Sequence, residues 1–247
     1  MRKRIIWFIV IMMILSSCLN VFANETEVYP DRYEEYLQYL HEGWFSEGFT
    51  YEMWISLIKE NEKLETMLTD EMNGFRCVHT EFVDENGGIN ESGNRAYSMI
   101  KGDILITNGT SMAGLTGHAG IAISSTMILS IKGPTYHPET ISLSTWNNRY
   151  MTSNSHWTKY YRHNNYPNAS AAANWGINTY VGSDAEYDLL PGLYNTDYTY
   201  CSKIVWQCYY YGPSTHQATT TSNHVTPYGL PDRVLNLTLK KTQYGGS

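Results

Sequence analysis

The feature that most restricts the fold of this chain is a set of three short apolar segments in its middle. Residues rich in Gly, Ser and Thr separate the first two, and Lys132-Gly-Pro134 closes the third. Short apolar runs between turn-forming residues are typical of β-strands. We therefore predict that consecutive antiparallel strands of a small sheet occupy residues 102–107, 117–123 and 127–131, with a fourth strand at 158–162.

Helical patterns lie on both sides of these strands. Apolar residues recur at helical spacing before them, at 32–40 and 52–72, and two further helices are predicted at 169–180 and 201–211. The last helix stops at a Gly-Pro pair. Strands and helices in this arrangement indicate an α+β fold with an N-terminal helical appendage. The predicted organisation is a signal peptide (1–23), a helical N-terminal region (24–94), the sheet domain (95–242) and a frayed tail (243–247).

The first residues have the pattern of an export signal. Basic residues at 2–4 precede an apolar run at 5–15, which is too short to span a bilayer as a mature helix. We favour cleavage after Ala23, but the lipobox-like segment Leu15–Cys18 is an alternative. The mature protein is then secreted or held at the cell surface, with membrane attachment only if Cys18 is lipidated.

Charge and cysteine content exclude several classes of function. The net charge is -7, and no basic stretch suggests nucleic acid as a partner. No paired-Cys or His-x-x-x-His spacing points to a metal site, so we expect neither a metal nor another cofactor. Without Cys18 the chain has three cysteines, Cys77, Cys201 and Cys208. An odd number in an exported protein suggests a reactive thiol rather than a disulfide framework.

Cys201 is the best candidate for that thiol. It falls in the first turn of the predicted helix 201–211, where unpaired N–H groups and the helix dipole favour a thiolate and should lower its pKa. Cys208 lies two turns further along and lacks this advantage. A second interpretation is that Cys201 belongs to an apolar helix face with Ile204, Val205 and Cys208, as a small core residue.

His118 favours the catalytic interpretation. It begins the second predicted strand and shares one strand face with two small residues, Gly120 and Ala122. So flat a face would let the cysteine helix pack closely and bring the thiol to the imidazole. A Cys–His pair is the minimal machinery of a thiol hydrolase, because His accepts the thiol proton and later protonates the leaving group.

Three segments together resemble the permuted NlpC-like hydrolases, and among them the YiiX-like group. They are Gly102-Asp-Ile-Leu, Gly117-His-Ala-Gly-Ile-Ala-Ile and Tyr200-Cys-Ser-Lys-Ile-Val-Trp206. That group has a circularly permuted papain-like fold in which the His strand precedes the Cys helix, as it does here. The resemblance covers residues 95–240 and implies an antiparallel sheet packed on the nucleophile helix.

The resemblance also implies an activity. Cys201 would be the nucleophile and His118 the base in amide hydrolysis through an acyl-enzyme, with cell-wall peptides, murein fragments or similar peptides as substrates. The residue that orients the imidazole would be Ser130, where many relatives have a carboxylate, an amide or His. His137 or Glu139 could replace it from the following loop.

Other interpretations of the same residues remain open. Tyr200, beside the nucleophile, is either a substrate-binding residue or a packed aromatic. The same dyad would also serve acyl transfer or ester cleavage on lipids, and a lipidated Cys18 would favour that. A non-catalytic binding module is the third alternative, because Ser130 is a weak orienting group. We assign substrate specificity to the loops at 135–155 and 213–227.

Overall fold

The structure is a computed structural model that describes residues 32–76, 97–112, 115–190, 192–219 and 221–245. The chain divides into two compact units, one ending at Glu34 and the other starting at Glu35. The predicted signal peptide, Cys18 and Cys77 lie outside the described residues. Every helix within the described ranges is too short or too polar to span a bilayer.

The described chain contains six helices and eight strands. The helices are α1 (Tyr33–His41), α2 (Tyr51–Arg76), α3 (Leu143–Tyr150), α4 (Tyr166–Tyr180), α5 (Cys201–Tyr211) and α6 (Leu230–Arg233). The strands are β1 (Ile104–Met112), β2 (Leu115–Ala122), β3 (Met127–Ser130), β4 (Glu139–Ser142), β5 (Trp157–His163), β6 (Glu186–Tyr187), β7 (Tyr198–Thr199) and β8 (Leu237–Tyr244).

Six of the strands form one antiparallel sheet in the order β4-β3-β2-β1-β5-β8. Alternate residues of a strand point to opposite faces, and in β1 Ile104 and Ile106 join one core cluster whereas Leu105 joins another. The short strands β6 and β7 pair in parallel as a separate ribbon. The predicted α+β class and antiparallel sheet are therefore confirmed.

The segment predicted as a loop at 135–155 contains both β4 and α3. The side chain of Ser142 caps α3 by accepting a hydrogen bond from the N–H of Thr145 at 3.0 Å. This helix buries Trp146 and Tyr150, and β4 buries only Ile141. Elements this short carry too few apolar residues to show a period in the sequence.

The C-terminal strand β8 was also not predicted. It pairs with β5 as far as Tyr244, beyond the domain end predicted at 242, so the tail is part of the sheet at that point. Two adjacent lysines, Lys240 and Lys241, interrupt its alternation. Such charges are common on edge strands, where they discourage pairing between molecules.

Helix α2 is fastened to the sheet by buried polar contacts. Asn61 Nδ2 donates a hydrogen bond to the carbonyl oxygen of Thr116 at 2.9 Å. The fully buried Lys159 of β5 donates from Nζ to the carbonyl oxygen of Leu68 at 3.0 Å. Trp54 belongs to the same core cluster as the apolar residues of α5. The N-terminal helices thus share the core of the sheet, while the boundary predicted at residue 94 lies outside the described ranges.

Candidate active site

Helix α5 begins at Cys201 and ends at Tyr211, as predicted. Tyr200 precedes it in an extended conformation (φ -148°, ψ 169°), and its carbonyl oxygen accepts a hydrogen bond from the N–H of Ile204 at 3.0 Å. Cys201 therefore lies in the first turn, and only 4% of its surface is exposed. Cys208 packs against Gly176 of α4, where a Cβ would lie 2.6 Å from its Sγ. Cys208 is a core residue.

His118 is fully buried on β2 among aromatic rings. Its ring centroid lies 4.7 Å from that of Tyr150 and 5.5 Å from that of Trp146. We predicted that the flat face at Gly120 would receive the cysteine helix, and this is wrong. Trp146 of α3 covers that face, since a Cβ on Gly120 would lie 3.1 Å from its ring.

Ser130 lies where the resemblance placed the orienting residue. Its Oγ is 2.9 Å from Nε2 of His118 and donates to the carbonyl oxygen of Ala119 at 2.6 Å. A hydroxyl has one proton, so Ser130 must accept a hydrogen bond from the imidazole. Nε2 then carries the proton of the neutral ring, and Nδ1 is the basic nitrogen.

The two alternative orienting residues bind elsewhere. His137 Nδ1 lies 3.1 Å from the carbonyl oxygen of Ala185. Glu139 forms an ion pair with Arg149 of α3. Ser130 is therefore the one of the three predicted candidates that contacts the imidazole of His118.

Both members of the predicted dyad are uncharged at neutral pH. Burial, assisted by the positive charge of Arg149, lowers the pKa of His118 to about 3. Burial also raises the pKa of the Cys201 thiol, although the N–H groups of Ala119 and Ser202 oppose this by stabilising the thiolate. The lowered thiol pKa that we expected from the helix N-terminus is wrong, because desolvation outweighs the dipole.

Cys201 and His118 approach the same point of β2. The N–H that reaches the thiol is that of Ala119, whose nitrogen is bonded to the carbonyl carbon of His118. Tyr150, in ring contact with His118, has its pKa raised to about 12 by burial and by the charge of a Cys201 thiolate.

Cys201 borders a pocket with apolar walls. Its cavity volume is about 20 Å³, so it is a narrow cleft. No carboxylate, ammonium or guanidinium group of the described residues lines it. His224 also lines the pocket, but burial lowers the pKa of its imidazole, so the ring is neutral at pH 7. The aliphatic part of the wall comes from four segments of the chain and consists of Leu57, Leu115, Leu189, Val225 and Pro227.

Tyr200 lines the same pocket. Its hydroxyl accepts a hydrogen bond from the N–H of Val225 at 3.1 Å and so fastens one of the predicted specificity loops. The predicted contact of Tyr200 with substrate stays a prediction. Tyr187, also in the wall, was missed because it lies in a two-residue strand without a motif. Leu57 was recognised only as an apolar helix residue.

Comparison with known proteins identifies the family. The family described as lipoprotein N-acylation protein LnsA-like matches residues 75–242, which include Cys201, His118 and Ser130. The chain belongs to this family. Its description denotes acyl transfer, so at this level the chain is grouped with acyl-transferring enzymes.

Two further proteins are similar to the chain. An uncharacterized 30.3 kDa protein of Bacillus thuringiensis is 28% identical over 258 residues, covering 94% of this chain and 95% of that protein. The metalloprotein yiiX from Escherichia coli O157:H7, known from a crystal structure, is 14% identical to this chain, with a TM-score of 0.43. The match covers 60% of this chain and 99% of the yiiX chain. Among the residues described for our chain, no group of three or more His, Cys, Asp or Glu could hold a metal ion.

Proposed function

We propose that Cys201 takes an acyl group from a lipid ester as a thioester and passes it to an amine, with His118 as the base. The observation that carries this proposal is the pocket beside Cys201, which has aliphatic walls and no charged side chain among the described residues. An acyl chain gains free energy by leaving water for such walls. Cell-wall peptides carry carboxylates and amines that would be buried there without partners. Membership of the LnsA-like family supports the same choice.

Proton transfer accompanies sulfur attack, because the resting dyad is neutral. Nδ1 of His118 accepts the thiol proton while Sγ of Cys201 attacks the ester carbonyl carbon. The carbon–oxygen bond breaks, and the imidazolium protonates the departing alcohol. An amine then attacks the thioester and gives a proton to His118 as the carbon–sulfur bond breaks. The thiolate regains that proton, which leaves an amide and the original enzyme.

Ser130 acts through His118 in this scheme. By accepting the Nε2–H bond it keeps the ring in the tautomer whose Nδ1 is basic. A serine is enough for this role because the ring is held neutral by burial, so no buried imidazolium has to be stabilised in the resting enzyme.

The hydrolysis that the sequence favoured would use the same thiol, with an amide as donor and water as acceptor. The near-complete burial of Cys201 and the apolar walls disfavour water as the acceptor. A circularly permuted papain-like fold is part of our proposal, supported by the order of the His118 strand and the Cys201 helix and by the packing of α5 on β2. Our proposal also includes export of the protein and action outside the cytoplasm.

A transfer assay tests this function. Phosphatidylglycerol vesicles supply the acyl group, and a synthetic peptide beginning with S-diacylglyceryl cysteine supplies the amine. We expect mass spectrometry to show an N-acylated peptide and a hydroxylamine-sensitive acyl adduct on Cys201 in the wild type. The Cys201→Ala variant should show neither, and Cys208→Ala should keep both. Equal transfer by wild type and Cys201→Ala, or cleavage of murein peptides instead, would refute the proposal.

A further inference from the structure

One hydroxyl group in the wall of the pocket beside Cys201 makes no hydrogen bond within the described residues. The other hydroxyl groups of the wall are hydrogen-bonded. That of Tyr200 accepts from Val225 N–H at 3.1 Å, and Ser202 Oγ donates to the Val225 carbonyl oxygen at 2.7 Å. Thr226 Oγ1 accepts from an N–H group of its own turn at 3.1 Å. The hydroxyl of Tyr187 has no hydrogen-bond partner within the described ranges. Tyr187 is half-buried, so its hydroxyl can donate to a group that enters the pocket.

The ring of Tyr187 is held in place from two sides. Its backbone pairs in parallel with Thr199, two residues before Cys201. Its ring meets that of Trp44 edge to face, with centroids 5.9 Å apart. The side chain therefore has a defined position in the pocket wall that it shares with the thiol.

The electrostatic surroundings keep this phenol protonated. Burial raises the pKa of Tyr187 well above its usual value, and the negative charge of a Cys201 thiolate raises it further. The group therefore donates a hydrogen bond throughout a reaction near neutral pH and does not exchange its proton with substrate.

We propose that Tyr187 is a further catalytic residue, whose hydroxyl donates a hydrogen bond to the acyl carbonyl oxygen as the Cys201 thioester forms and breaks. This rests on the proposed function. When sulfur attacks, the carbonyl π electrons move to oxygen, and the negative charge lies there until the tetrahedral intermediate collapses. The phenol O–H and the N–H of Cys201, in the first turn of α5, supply two donors for it. No proton leaves Tyr187, so the phenol is unchanged after each step.

The test separates this role from a structural one. p-Nitrophenyl octanoate acylates Cys201 through a tetrahedral oxyanion, whereas iodoacetamide alkylates the same thiol by displacement without one. For Tyr187→Phe, which removes only the hydroxyl, we expect the single-turnover acylation rate to fall about 100-fold. We expect the alkylation rate and its pH profile to stay unchanged. Tyr198→Phe, on the paired strand but exposed, is the matched control and should leave both rates unchanged.

The contrary outcomes distinguish failure of the Tyr187 role from failure of the proposed function. Normal acylation in Tyr187→Phe would refute the role of Tyr187 while leaving the proposed function intact. An equal fall in acylation and alkylation would show that the substitution disturbs the thiol itself, and would also refute this role. Failure of the wild type to be acylated at Cys201 would refute the proposed function, and the role of Tyr187 with it.

Discussion

The buried imidazole should make the stability of the fold depend on pH, and His118→Gln tests this. Imidazole titrates near pH 6.5 in the unfolded chain, whereas burial lowers the pKa of His118 to about 3 in the folded protein. Above pH 6.5 both states hold the neutral ring, and its full contribution to stability is present. Below pH 6.5 the unfolded chain binds a proton that the folded protein does not, so stability falls as the pH approaches the folded pKa.

The size of this effect between pH 7 and pH 5 depends almost only on the unfolded pKa, because pH 5 lies well above the folded value for His118. The midpoint of 6.5 is one and a half units above pH 5, and each unit corresponds to about 1.4 kcal/mol. The wild type should therefore lose about 2 kcal/mol of unfolding free energy through this group alone.

Urea unfolding at the two pH values measures this loss. Between them, we expect His118→Gln to lose about 2 kcal/mol less than the wild type, whatever its absolute stability. His41→Gln is the control, since that side chain is exposed at the end of α1, and this variant should keep the His118 contribution. Equal pH dependence in wild type and His118→Gln would mean that the imidazole has the same pKa in the folded protein as in the unfolded chain. The neutral dyad would then be refuted.

Three further predictions concern single groups of the site. Because burial raises the pKa of the Cys201 thiol, its labelling by iodoacetamide should be slow at pH 7 and accelerate only above about pH 8.5; rapid labelling at pH 6, read by mass spectrometry, would contradict this. Ser130→Ala leaves the imidazole Nε2–H buried without its acceptor and should cost about 1–3 kcal/mol in urea unfolding; an unchanged free energy would exclude the assigned hydrogen bond. Gly117→Ala places a Cβ 2.8 Å from the ring of Tyr228 at a φ of 97°, and should lower the melting temperature more than Gly182→Ala, which has a positive φ but open space; equal shifts would show that the ring yields.

Local signals explain which elements were predictable. The bounds of α5 were correct at both ends, because an extended turn precedes Cys201 and Gly212-Pro213 follows Tyr211. Strand β2 was found by its run of small and apolar residues. In contrast β4, α3 and β8 were missed. Each buries few side chains or carries charges on a sheet edge, so its existence depends on the strand or core beside it.

The residues of the site also differ in whether local sequence signals predict them. Motif order and helix position singled out Cys201 and His118, and the family resemblance singled out Ser130; their catalytic roles stay predictions. Tyr187 and the enclosure of the imidazole by Tyr150 were not found. Neither has a motif, and both depend on contacts between segments far apart in the chain.

The sequence by itself determined that a histidine strand precedes a cysteine helix and that Cys201 opens that helix, since contiguous residues specify both. Only the tertiary structure decided that α3 covers the face of His118 and that thiol and imidazole are both neutral. It alone decided that the pocket is apolar. Burial is the physical reason, because the dielectric around a group depends on every segment packed against it, and no single stretch of sequence contains that information.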